Sequence, residues 1–198
     1  MRFSYYITVT AGIVNFAFTE EELCEDGWTR RERAVGRVCI KVVVEPKPIE
    51  FADAQNRCIS ENAHLAGIES NDEREFITQE AMLKISNLTK DTIGVWVAGV
   101  RRDNCRGSDW MNHPGCAEQS FEWIDPLVTG TNRFIFVESR PDGVMRDDIQ
   151  QDCLFLTIFP SIHGLLDDQF CITQCYNLEM MCYVYIVSYV CVKMAGQI

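Results

Sequence analysis

Apolar residues first recur at helical spacing in "FADAQNRCISENAHLAGI", where Phe51, Ala54, Cys58 and Ile59 fall three and four positions apart. That period puts them on one face of an amphipathic helix. Ser70 to Glu73 then reads as a capping box, with the Ser70 oxygen and the Glu73 side chain satisfying exposed amides. Phe76, Ile77, Met82, Leu83 and Ile85 follow, so a second helix is predicted to about Leu88. From residue 94 the period changes. "GVWVAGV" (94–100), "FEWID" (121–125), "CLFLTIF" (153–159) and "CYVYIVSYVCV" (182–192) are short β-branched and aromatic runs between Gly-, Pro-, Asp- and Asn-rich stretches, which marks them as strands. The last is too short and too β-branched for a membrane helix. Its Tyr183, Tyr185 and Tyr189 fall on one face, and Trp96 and Trp123 read as core.

Ahead of these elements, "CEDGWTRRERAVGRVCIKVVV" places Cys24 and Cys39 on either side of a polar, Gly-containing turn. The flanks read as two strands, so a disulfide-closed hairpin is expected, and closing a loop of that size stabilises by about 3 kcal/mol. "EPKPIE" ends the pattern. The order of hairpin, two helices and strands separated by long loops is an α+β layout. The polar stretch 126–152 is long for a connection, a length that marks a functional or disordered loop. The chain has no internal repeat and no low-complexity tract.

Composition narrows the class. A chain of 198 residues, 47% of them hydrophobic, suits one domain with a real core. A net charge of -11 disfavours nucleic acid and anionic membranes, neither of which offers a countercharge. Met1-Arg2 followed by an uncharged run to Glu20 reads as a signal peptide over residues 1–19, with Ala17 and Thr19 at the cleavage zone. Residues 20–198 are then a secreted, extracellular domain, with no membrane insertion once the signal is removed. Ten cysteines in such a chain point to disulfides. The rival is zinc at Cys171-x3-Cys175, but it lacks a second close pair, and His64, His113 and His163 are scattered.

Together these stretches resemble the long form of the C-type lectin-like domain, from about Cys24 to Lys193. "CEDGW...CIK" is similar to that family's N-terminal hairpin, and "ADAQNRCISENAHLAGIES...E" to its first helix and the turn into the second. "VWVAG" stands where the family has Trp-Ile-Gly-Leu. "FEWID" resembles its Phe-x-Trp-x-Asp, "DC" at 152–153 its central cysteine, and "YVC" at 189–191 its closing strand. The resemblance implies two helices packed on small antiparallel sheets, a long loop region and disulfide staples. It pairs Cys58 with Cys191 and Cys153 with Cys171, beside Cys24–Cys39. Cys105–Cys116 and Cys175–Cys182 are left as local pairs, with pairing between molecules as the alternative.

The resemblance also locates a calcium and sugar site, and half of it is altered. Sugar-binding members hold calcium with a loop of the Glu-Pro-Asn or Gln-Pro-Asp kind, usually with a cis proline, and with further oxygens beside the central cysteine. Here Pro141 and Asp142 match, but Arg140 stands where an oxygen ligand is expected. Gln151 replaces the carboxylate before the central cysteine, and Asp167 and Asp168 follow Leu166 in place of Trp-Asn-Asp. Arg140, Pro141, Asp142, Gln151, Asp167 and Asp168 are thus the candidate ligand-binding residues, with Asp142, Asp167 and Asp168 as doubtful metal ligands. A guanidinium cannot lose its proton. The expectation is therefore that Arg140 satisfies Asp142, Asp167 or Asp168 as an internal countercharge, disfavouring calcium, with no other cofactor implied.

Asn87-Leu88-Thr89 is a glycosylation sequon. Trp110, Met111 and His113 form either a small recognition patch or a cover for neighbouring core. Asp147-Asp148 and Asp167-Asp168 raise the alternative of a hydrolase, unsupported by any nucleophile or phosphate motif. The expected function is non-enzymatic recognition of an extracellular glycan or protein, carbohydrate being the default that the family implies. Calcium-independent protein binding and a secreted inhibitor or effector on the same scaffold are the alternatives.

Overall fold

The computed structural model describes residues 24–85, 93–130, 134–158, 163–172 and 185–196, with the backbone of two further strands, β1 (Ile7–Thr10) and β2 (Ile13–Phe16). These two pair only with each other, inside the stretch read as a signal peptide. The sequon at Asn87, the cysteines Cys175 and Cys182, and Tyr183 lie outside the described residues.

The hairpin is β3 (Thr29–Arg33) with β4 (Gly36–Val44), bridged by Cys24–Cys39. Helix α1 (Phe51–Ser60), the short strand β5 (His64–Leu65) and helix α2 (Asn71–Ile85) follow. Next come β6 (Ile93–Arg101), β7 (Phe121–Trp123), the ribbon of β8 (Met145–Arg146) and β9 (Ile149–Gln150), then β10 (Cys153–Ile158), β11 (His163–Gln169) and β12 (Tyr185–Met194). One sheet runs in the order β11-β10-β6-β12-β4-β3, with β5 on β12 and β7 on β6. Its pairings are antiparallel except for β12 with β6.

Strand alternation divides the core in two. Val95, Val97, Leu154 and Leu156 face the side covered by Ile77, Ala81 and Ile85 of α2. Trp96, Ala98, Cys153 and Phe155 face the side covered by Phe51, Ala54 and Cys58 of α1. Covered on both faces, β6 is buried almost throughout. Trp96 is fully buried, sits edge-on between Phe51 and Phe155, and donates its indole N–H to the Ile49 carbonyl. In β12 the register shifts between Ile186 and Ser188, so Ile186 and Tyr189 share the α1 side. Simple alternation does not carry across that shift; of the three tyrosines expected on one face, only Tyr189 has a described side chain, Tyr183 and the side chain of Tyr185 lying outside the described residues.

Several helix expectations need adjustment. Ile59, Met82 and Leu83 are exposed, because the apolar face of each helix is narrower than its apolar content. Within the described residues α2 ends at Ile85. The Ser70 hydroxyl accepts from the Glu73 amide at 3.1 Å, as a cap should. The Glu73 carboxylate instead reaches the Glu69 amide and Arg33. Arg33 is buried with Glu73 at 2.7 Å and Asp125 at 2.8 Å, which joins the hairpin, α2 and the segment after β7. Burial alone would lower the Arg33 pKa, but the two carboxylates outweigh it and hold it above its ordinary value.

Four bridges are formed among the described residues: Cys24–Cys39, Cys58–Cys191, Cys105–Cys116 and Cys153–Cys171. The α+β, disulfide-stapled architecture expected from the sequence is the one observed.

Candidate functional site

The site lies where the loop 138–143 meets β11. Arg140–Pro141 is a cis peptide, and Ser139 and Gly143 take left-handed backbone at φ 64° and 60°. The turn is closed by the Arg140 amide donating to the Val137 carbonyl. Gly143 is required there twice over, since a Cβ would also collide with the Trp110 indole nitrogen. This geometry swings Arg140 and Asp142 toward β11.

Alternation along β11 then separates the two adjacent acids. Gly164, Leu166 and Asp168 point inward, whereas Asp167 points the other way. Arg140 forms an ion pair with Asp142 through Nη1, and its Nε lies 3.3 Å from Asp167 Oδ1. Arg140 and Asp142 are each about one-third exposed, and Asp167 about half as much. Arg140 thus joins two of the three acids expected around it.

Asp168 belongs to a different arrangement from the Arg140 pair. It is buried to 1% exposure. One oxygen accepts from the Gly143 amide at 2.8 Å and lies 2.8 Å from Arg101 Nη2; the other accepts from the Asp142 amide at 3.1 Å. Asp168 therefore anchors the loop from beneath. Gln151 donates its carboxamide N–H to Gln169 Oε1 at 3.3 Å, and its own Oε1 is buried without a hydrogen-bond partner among the described residues.

Arg101 is the residue that sequence reasoning missed. It ends the apolar run of β6, and a cation closing such a run is the one signal that pointed to it. Its guanidinium lies between the Trp110 and Phe121 rings, 4.6 and 4.5 Å from their centres. It donates to the Gln151 carbonyl, pairs with Asp168, and its Nε lies 3.1 Å from Asp152 Oδ1. Burial lowers the Arg101 pKa, yet an arginine remains a cation throughout the ordinary pH range. Trp110 is buried on this guanidinium and on the Cys105–Cys116 bridge, so it is cover rather than a surface patch; Met111 is exposed. Asp147 and Asp148 form the exposed turn of the β8–β9 ribbon.

Calcium takes six to eight oxygen ligands. The residues present do not fit it: Arg140 brings a cation into the corner, and both Asp168 oxygens are engaged. Among the described residues no group of three or more His, Cys, Asp or Glu side chains is arranged to hold a metal. Nor is any helix among them long and apolar enough to cross a membrane.

Burial pushes the Asp167 carboxyl up to about 6, against the opposing pull of Arg140. An aspartate in an unfolded chain titrates near 3.9. The native state therefore holds this proton more tightly, and the resulting stability is fully present below about pH 4 and lost as pH rises through 6, by up to about 3 kcal/mol. Asp167→Asn is expected to raise the melting temperature by several degrees at pH 7.5 and to leave it unchanged near pH 4. A lower melting temperature for the variant at pH 7.5 would mean that the Arg140 pair outweighs burial.

Over residues 29–193 the chain matches the family described as C-type lectin domain-containing protein 141/158. No curated protein sequence matches it. Among solved structures, a calcium-independent type II antifreeze protein is similar at 17% identity and a TM-score of 0.55, over 88% of this chain and 96% of that one. The carbohydrate-recognition domain of cow CD23, solved in the presence of a GlcNAc2Man3 oligosaccharide, is similar at 16% identity and a TM-score of 0.54, over 88% and 98%. That of the mouse scavenger receptor C-type lectin is similar at 16% identity and a TM-score of 0.52, over 88% and 99%. At these identities the likeness is one of fold.

Proposed function

This chain belongs to the C-type lectin domain-containing protein 141/158 family, and on that premise we propose that it is a secreted module that recognises an extracellular ligand through its long-loop face without calcium. Family membership supports reading it as a lectin-like binding module. Carbohydrate is the first reading of the ligand, by resemblance to sugar-binding C-type lectins, and a protein ligand on the same face is the second. The observation that carries calcium independence is the Arg140 guanidinium between Asp142 and Asp167. A fixed cation in that place repels a second one and answers the carboxylates by charge-assisted hydrogen bonds.

The test pairs calcium calorimetry with glycan-array binding in the presence and absence of chelator. The purified domain is expected to give no stoichiometric heat with micromolar calcium and the same array pattern under both conditions. Arg140→Ala should cost no more than about 1 kcal/mol of stability, since the pair is partly exposed. A stoichiometric micromolar calcium site, or glycan binding abolished by chelation, would sink the calcium-independent reading.

A further inference from the structure

The chain contains two Asp-Gly bonds, Asp26–Gly27 and Asp142–Gly143. This dipeptide is prone to rearrange, because glycine has no side chain to hinder its amide nitrogen from attacking the aspartate before it. The nitrogen bonds to Cγ of the aspartate, its proton and the carboxyl hydroxyl leave as water, and a succinimide ring forms. Water then opens the ring at either carbonyl. One opening restores aspartate. The other gives isoaspartate, which carries an extra methylene in the main chain. The net change is an isomerisation in which one oxygen has come from solvent.

The structure gives the two bonds opposite settings. Asp26 and Gly27 are the central residues of a turn closed by the Trp28 amide, which donates to the Glu25 carbonyl at 3.0 Å. Gly27, at φ 85°, suits the third position of such a turn. Both residues are exposed, and among the described residues the Gly27 amide has no hydrogen-bond partner and Asp26 no ion pair. Nothing lies within 4 Å of where a Gly27 Cβ would stand. The peptide plane between them is therefore free to rotate and bring the nitrogen onto Cγ.

At Asp142–Gly143 each reacting group is engaged. The Gly143 amide donates to Asp168 Oδ2 at 2.8 Å, and the Asp142 carboxylate accepts from the Val144 amide at 3.3 Å and pairs with Arg140. Gly143 is also packed against Trp110 and Gln150, which blocks rotation of the plane.

We propose that Asp26–Gly27 is a site of spontaneous isoaspartate formation in the folded domain, and that Asp168 and Arg140 guard Asp142–Gly143 against the same reaction. The modification lengthens the main chain where it enters the hairpin, beside the Cys24–Cys39 bridge, and leaves the Arg140 corner chemically intact. It depends on no ligand and on no reading of the calcium site.

The test ages the intact domain at pH 7.4 and 37 °C in oxygen-18 water, with a urea-unfolded, disulfide-reduced sample alongside. Peptides are mapped by mass and by labelling with a protein isoaspartyl methyltransferase. In the unfolded sample both bonds are expected to react at similar rates. In the folded domain the Asp26 peptide should take up oxygen-18 and become a methyl acceptor. The Asp142 peptide should react about tenfold more slowly, since reaction there waits on local opening. Asp26→Glu should remove the product from its peptide, and Asp168→Ala and Arg140→Ala should each raise the Asp142 rate. The ratio of folded to unfolded rates reads the same guard in the unsubstituted chain. Equal folded rates at the two bonds, or an unreactive Asp26 in a folded chain whose unfolded form reacts, would overturn the proposal. So would an Asp142 rate unchanged in both folded variants.

Discussion

Arg33→Ala is expected to destabilise the domain by about 3–5 kcal/mol, a fall in melting temperature on the order of 10 °C. Glu73 and Asp125 would be left buried without their cation, and uncompensated buried charge is the costly half of any internal ion pair. The Gly67 carbonyl, 3.0 Å from Arg33 Nη2, would lose its donor as well. Arg33→Lys should recover part of the loss, since an ammonium keeps the charge but not the forked contact with both Glu73 oxygens. Urea melts of the two variants with Glu73→Gln in a double-mutant cycle would read the coupling. A cost below about 1 kcal/mol for Arg33→Ala would show that water reaches the pocket and that the network is incidental.

The second large effect is covalent. Cys58 and Cys191 are 133 residues apart and both fully buried. By loop-closure entropy their bridge stabilises by about 5 kcal/mol, whereas Cys105–Cys116, 11 residues apart, stabilises by about 3. The paired change Cys58→Ala/Cys191→Ala should therefore lower urea stability by more than Cys105→Ala/Cys116→Ala. The ranking for local order should be the reverse. Opening the shorter bridge frees the loop that seats Trp110, and hydrogen exchange at Gly143 should rise only in that variant. If both double variants lost equal stability, native-state strain or packing would dominate over chain entropy.

Much of this was legible in the chain. Ser70 capping α2, the Cys24–Cys39 hairpin and the four apolar runs are local signals, and local signals survive folding. The position of Arg140 beside Pro141 was legible too, through an ordered set of short motifs. The partners of buried charges were not. Arg33 meets acids 40 and 92 residues away, and Arg101 meets Asp168 across 67. No period in the sequence encodes such pairings. Asp167 and Asp168 are the instructive case: neighbours in a strand face opposite ways, so grouping them in one corner conflicts with the alternation of Leu166 and Asp168. The β8–β9 ribbon escaped notice because two-residue ladders in a polar stretch carry no hydrophobic pattern.

The staples also decide how the molecule would bear a load. Lys193 pairs with Glu25 at 3.0 Å, so the chain enters and leaves the domain side by side. A pull applied between residues 24 and 196 would pass through Cys24–Cys39, along α1 to Cys58, across to Cys191 and out. Tension would therefore bypass everything from residue 59 to 190, including the Arg140 corner and the ribbon. The extensible path is only about 24 residues, on the order of 80 Å at full stretch. A domain tethered by these ends would keep its long loops slack, and so in their folded shape, while the tether itself was taut.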